Sequence, residues 1–434
     1  MTRLPRRALS GLRLLVLAHL TLHAFFSPVY EGPDEPFHLA RARAFAEGPF
    51  AEALAGEVVD ADLVHSLRAW PCGPAMHAAF DCPSFGREKA AFNIVEPARR
   101  AGGDGSASSN YQAHQPPVYY LAAASVLGLF APAIGTAPES QILLLRLAAV
   151  LLVGCVLCFP IRRLGKGNAH FETLLLLALL LPGAAESLIR VSNDVAVFAW
   201  AVLMVAALSR RDAISTKELA LLAAVGPLLK LTAFPVVAVA AVVGWRARGW
   251  RPGLLIGASG LAVFPLQWLR GWAWGGTLEA NTPLGALGSL SEILLGLVHS
   301  AATFLKTAVW LGGWTFFRPP TWVLVAIPLL GLIVIVRCLR LRSPMANRGA
   351  HLAGGALAAA GFVAFALGQR QIFGVWGGVG GWYLWGWAPW LALLACDLLE
   401  VRSARERELT IGALGAVTVL NAAWFEVAVR TYGS

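Results

Sequence analysis

Tyr30-Glu31-Gly32-Pro33-Asp34-Glu35-Pro36-Phe37-His38 follows directly on an apolar run, Leu12 to Val29. Acids and a histidine therefore stand at the exit of a first membrane span. Pro33 and Pro36 bracket Asp34-Glu35, which argues against regular helix through the pair and for a stiff turn. Such a turn holds two carboxylates at a set depth near the lipid headgroups. The plainer alternative is a hydrophilic loop that happens to open with acids.

The composition agrees with a span at this point. Of 434 residues, 57% are hydrophobic and 14% charged, against about 25% charged in soluble domains. Mean hydropathy is +0.64. The fold class expected is an all-α, multi-pass membrane protein, with the lipid bilayer as its first partner. Sixteen tryptophans suit membrane interfaces. The net charge of +10 does not point to nucleic acid, because the basic residues cluster in short loops between apolar runs, as cytoplasmic loops do.

Arg3, Arg6, Arg7 and Arg13 precede or open the first run, and no clear small-x-small cleavage site follows before Pro28, so an uncleaved span is expected. Cys155-x-x-Cys158 has the spacing of a redox or metal motif, but inside an apolar run two small packed thiols are the simpler reading. Cys72 and Cys82 lie in a long polar loop and suit a small disulfide on an oxidising side.

Taking the basic clusters at 162–166, 210–217, 246–251, 337–348 and 402–407 as internal predicts about 11 spans, within a range of roughly 10 to 13. Residues 1–434 then form one integral membrane domain with no internal repeat. Residues 30–140 are the first outer loop, with juxtamembrane helices, and 271–320 a second long outer region. Val118 to Phe130, closed by Pro132, is shorter than the roughly 20 residues that hydrocarbon requires, so it is expected to lie in the outer interface, as is an apolar helix near 291–311. Phe171 to Ile189 reads as one outward span. Arg190-Val-Ser-Asn193-Asp194 is a tight outer turn before the return from Val195 to Leu208. Leu219 to Leu229 and Thr232 to Gly244 form a hairpin with Lys230 at its apex.

This topology gathers chemistry on the outer face. Asp34 and Glu35 read either as a general base or as ligands for a divalent cation (Mg or Mn), with Asp194 as a third acid. Lys230 reads either as a snorkelling residue or as a phosphate contact. His114, next to Gln115, is either a loop residue or a substrate contact. His38, Asn193, Arg318 and Arg370 complete the candidate substrate-binding set at outer ends. Ionisable groups at membrane depth are costly and usually functional.

Asp34-Glu35, His114-Gln115-Pro116-Pro117-Val118-Tyr119-Tyr120, Asn193-Asp194 and Lys230-Leu231-Thr232 together resemble the GT-C superfamily of membrane glycosyltransferases, which includes protein O-mannosyltransferases and aminoarabinose transferases. Gly32-Pro33-Asp34-Glu35-Pro36-Phe37-His38 is similar to the start of a less characterised bacterial branch. That branch carries Gly-Arg-Tyr near its C-terminal outer loop, where this chain has Gly381-Trp382-Tyr383. The resemblance implies a GT-C-like architecture and a polyprenyl-phosphate-linked sugar as donor. It also implies a saccharide, lipid or protein acceptor, and transfer with inversion on the outer face of a bacterial plasma membrane, with Asp34 as base. Two readings stand beside it. A transporter or flippase of lipid-linked saccharides calls for an inverted repeat and helices broken at mid-membrane, neither of which the sequence displays. A non-catalytic membrane scaffold requires that Asp34 and Glu35 be replaceable.

Overall fold

The computed structural model describes residues 6–27, 29–30, 34–55, 59–69, 115–158, 169–209, 214–266, 286–309, 347–374, 376, 380–400 and seven positions between 408 and 419. Among these residues every regular element is helical. The chain opens with α1 (Arg6–Phe26), α2 (Glu35–Glu47), α3 (Phe50–Ala55) and α4 (Ala61–Ala69). It continues with α5 (Val118–Ile134), α6 (Pro138–Cys158), α7 (Ala169–Leu179), α8 (Pro182–Ile189), α9 (Asp194–Ser209) and α10 (Thr216–Leu229). A 3-10 turn (Leu231–Ala233) leads into α11 (Phe234–Arg248) and α12 (Trp250–Leu261). Then come α13 (Leu290–Val309), α14 (Arg348–Phe373), α15 (Tyr383–Gly386) and α16 (Ala388–Glu400).

Four helices are long and apolar enough to cross a membrane among the described residues: Arg7–Phe25, Pro138–Cys158, Leu231–Arg248 and Arg348–Gln371. Counting α7 and α8 as one bent span makes five. The expectation of about 11 spans is met only in its coarser form, an all-helical chain with several apolar helices. Part of the shortfall is length, since α9, α10 and α12 have 16, 14 and 12 residues against the roughly 20 needed to span hydrocarbon; the expected spans at 321–336 and 411–429 lie wholly or mostly outside the described residues.

The expected single span from Phe171 to Ile189 is in fact two helices set at 80° to each other. Pro182 is the cause: it has no N–H to continue the helix, and its ring displaces the preceding turn. The chain closes α7 with tight bonds from Leu180 N to Leu177 O and from Leu181 N to Ala178 O, at 3.2 and 3.1 Å, and α8 restarts at Pro182. Other prolines are tolerated. Pro132 lies inside α5, which runs on to Ile134 rather than ending there. Pro36 occupies the first turn of α2, so helix begins at Glu35 and divides the acidic pair instead of avoiding it.

Three apolar clusters hold the bundle together. Leu175, Leu179, Ile189 and Phe198 join α7, α8 and α9 to α1 and α6. Phe37, Leu63, Leu127 and Ile142 seal α2, α4 and α5 onto α6. Trp200, Val236, Ile256 and Trp390 unite α9, α11, α12 and α16. α10 starts from a capping box: Ser215 Oγ accepts Glu218 N at 3.2 Å, and Glu218 Oε2 accepts Ser215 N at 2.7 Å. Gly253 lets α11 and α12 cross closely, since a Cβ there would lie 2.8 Å from Ala241 O.

Candidate functional site

The turn between α8 and α9 and the junction between α10 and the 3-10 turn meet through charge. Asp194 opens α9 and is buried. Its Oδ1 accepts Lys230 Nζ at 2.7 Å, and its Oδ2 accepts Arg190 Nη2 at 2.8 Å and Ser192 Oγ at 3.3 Å. Lys230 is reached because the backbone leaves α10 in an extended conformation, φ −166° and ψ 141°, which turns the ammonium inward rather than along the hairpin. Lys230 Nζ lies 4.7 Å from the centre of the Tyr383 ring, and Arg190 Cζ lies 5.3 Å from that of Trp382. Asn193 donates to Gln115 Oε1 and to Leu229 O, each at 3.2 Å, tying the start of α5 to the same place. Arg190 Nη1 and Asn193 Oδ1 are buried without a hydrogen-bond partner, an uncommon condition that marks a functional or strained site.

Asp34 stands beside this cluster in left-handed backbone, φ 67° and ψ 0°, as the residue before α2. It is partly exposed. Burial pushes its carboxyl up to about 6; Arg190 and Lys230 oppose the rise and Asp194 adds to it. Glu35 does something different. Arg146 grips it with two bonds, Nε to Oε1 at 2.9 Å and Nη2 to Oε2 at 2.7 Å, and Val191 N donates to Oε1 at 3.0 Å. Both Glu35 oxygens are thus engaged in a buried ion pair.

Asp194 is likewise held by two cations, so two of these three acids are already neutralised within the protein. Among the described residues no three His, Cys, Asp or Glu side chains group as metal ligands. His38 lies under the site, with Nδ1 2.7 Å from Tyr120 Oη and the rings stacked at 5.7 Å. Gln115 is brought in through Asn193. Arg370 is not: it bonds Gly374 O at the end of its own helix and interacts with Glu292. The guanidinium that lies against Trp382, where the bacterial branch has arginine, belongs to Arg190. His114, Arg318, Cys72 and Cys82 lie outside the described residues. Cys155 and Cys158 carry free thiols on α6.

Three contributors had no site role assigned from the sequence. Arg146 interrupts the apolar run from Ile142 to Phe159, and a lone arginine in such a run is itself a signal. Arg190 sits in the turn already singled out for Asn193-Asp194. Tyr383 reads as the start of a span, and nothing in one sequence sets it against Lys230.

A family model described as "Predicted membrane protein (DUF2142)" matches residues 17–384, most of the chain. The chain belongs to the DUF2142 family. The DUF2142 match runs from α1 to α15 and takes in Asp34, Glu35, Arg146, Arg190, Asp194, Lys230 and Tyr383. It makes the chain an integral membrane protein, in keeping with its apolar helices. No curated protein and no solved structure matches it.

Proposed function

We propose that this DUF2142 protein is a membrane glycosyltransferase of GT-C type. It transfers a sugar from a polyprenyl-phosphate donor to an acceptor hydroxyl on a saccharide, lipid or protein, at the outer face of a bacterial plasma membrane. The observation that carries this reading is Asp34, partly exposed, in the field of Arg190 and Lys230. A base and two cations then flank one place at the helix ends.

The donor keeps its tail in the bilayer and presents its phosphate at the interface. The acceptor oxygen bonds to the anomeric carbon as the bond from that carbon to the phosphate oxygen breaks. The Asp34 carboxylate takes the acceptor proton. The leaving polyprenyl phosphate keeps the bonding electron pair, and Arg190 and Lys230 offset the charge that grows on it. A single in-line displacement inverts the anomeric centre. Arg190 Nη1 is buried without a partner and is available to a phosphate oxygen. The Tyr383 and Trp382 rings lie against Lys230 and Arg190.

The test is transfer by the purified chain in proteoliposomes. A panel of polyprenyl-phosphate sugars is supplied with cell-envelope glycan or lipid acceptors, and products are read by mass spectrometry. A glycosylated product that disappears with Asp34→Asn supports the proposal; no product from any donor removes it. The 80° break between α7 and α8 favours a second reading, a transporter of lipid-linked saccharides, since broken helices line transport sites. In the same vesicles that reading predicts donor moved between leaflets with its glycosidic bond intact.

A further inference from the structure

Tyr30 and Glu35, on either side of Asp34 in sequence, are both tied to one helix, α6. At the near end, Tyr30 is buried with φ 63°, and its hydroxyl lies 2.5 Å from Ser66 Oγ. Ser66 Oγ in turn donates to Glu139 Oε1. At the far end, Glu35 is held by the two-bond grip of Arg146, whose Nη1 also donates to Ser27 O at 2.7 Å. Glu139 and Arg146 are seven residues apart on α6, about two turns, and so project from one face. Tyr30 and Asp34 are the two non-glycine residues with positive φ among the described residues. Such conformations persist only where the surroundings enforce them, and they gather at functional sites.

We propose that Arg146 is a positioning residue for Asp34: through Glu35, and with the Tyr30–Ser66–Glu139 link at the other end, α6 holds the turn so that Asp34 faces Arg190 and Lys230. The inference rests on the glycosyltransferase reading for its catalytic meaning, but the clamp itself does not. Glu35 also accepts Val191 N, one residue after Arg190. The same carboxylate thus joins the acid-bearing turn to the cation-bearing one. Arg146→Lys keeps the charge but cannot reproduce the planar two-bond pairing.

Infrared difference titration of the full chain in nanodiscs reads the clamp without any donor. The Asp34 carboxyl band is assigned by its loss in Asp34→Asn. The charged groups facing Asp34 are Arg190, Lys230 and Asp194, with the Tyr120 and Tyr383 hydroxyls nearby. Native protein should titrate near 6. Releasing the turn to water removes both the burial and the cations. In Arg146→Lys the midpoint should then fall by about one pH unit or more, toward the ordinary carboxylate value of about 4. Ser66→Ala, a smaller change that cuts the other anchor, should shift it less and in the same direction. Native midpoints in both variants would overturn the proposal. If Arg146→Lys does not fold, Ser66→Ala decides alone, a shift supporting the clamp and an unchanged midpoint removing it. Shifted midpoints in a chain that transfers no sugar would keep the clamp and remove the glycosyltransferase reading. Unshifted midpoints in a chain that does transfer would do the reverse.

Discussion

Lys230 Nζ lies 2.7 Å from Asp194 Oδ1, across 36 residues of sequence and with both side chains buried. Arg190 completes the group from the other carboxylate oxygen, so one acid serves two cations. Removing the shared acid leaves two buried positive charges; removing one cation leaves a balanced pair. Asp194→Asn is therefore expected to cost about 3–5 kcal/mol, the usual cost of breaking a buried ion pair, and Lys230→Met less. Thermal unfolding in detergent checks the order. The reverse order would show that Arg190 does not neutralise Asp194.

Asp34 gives two opposite effects in one substitution. As the base it acts when ionised, so transfer should rise through pH about 6 and level off above it. Asp34→Asn should lower turnover about 100- to 10,000-fold and abolish that limb. An Asp34→Asn chain with near-native transfer would name another base.

The stability sign follows from the same carboxyl. Its folded value, about 6, is raised from 3.8, so the folded state prefers the protonated form. The stability this group contributes is complete below about 4 and is lost as pH rises through about 6. Asp34→Asn should therefore stabilise the protein by roughly 1 to 3 kcal/mol at pH 7.5 and hardly at all at pH 4. Paired melts at the two values check it; equal shifts at both would assign the effect to something other than the proton.

Gly253 tests the packing of α12 against α11. A Cβ there would lie 2.8 Å from Ala241 O and 2.9 Å from Trp245 Cα, backbone atoms that cannot turn aside. Gly253→Ala should cost about 1–3 kcal/mol by forcing α11 and α12 apart. An unchanged melting temperature would mean that the two helices separate freely.

Orientation is tested by labelling. In a cysteine-free background, Thr136→Cys and Lys217→Cys, both at exposed positions, should react with an impermeant maleimide from opposite sides. Thr136 should be reached from outside and Lys217 from inside. Reaction of both from one side removes the proposed topology.

The sequence by itself determined the environment. Low charge, high hydropathy and basic loops require a bilayer, because a chain so poor in charge cannot otherwise satisfy its surface. It also marked Asp34, Asp194 and Lys230, since ionisable groups beside apolar runs are costly enough to stand out. It favoured Asp34 over Glu35 as the base, from the shorter side chain and the proline before it, but only the fold sets Arg146 against Glu35. It could not show that Phe171 to Ile189 bends, because a proline within an apolar run is tolerated or breaks the helix according to what packs around it. Pro132 lies within a continuous helix, whereas Pro182 opens a new one. Tertiary structure alone decided which cation meets which acid. Arg190 and Asp194 are four residues apart, but the Lys230–Asp194 and Arg146–Glu35 pairs join residues 36 and 111 positions apart, and no local pattern records those distances.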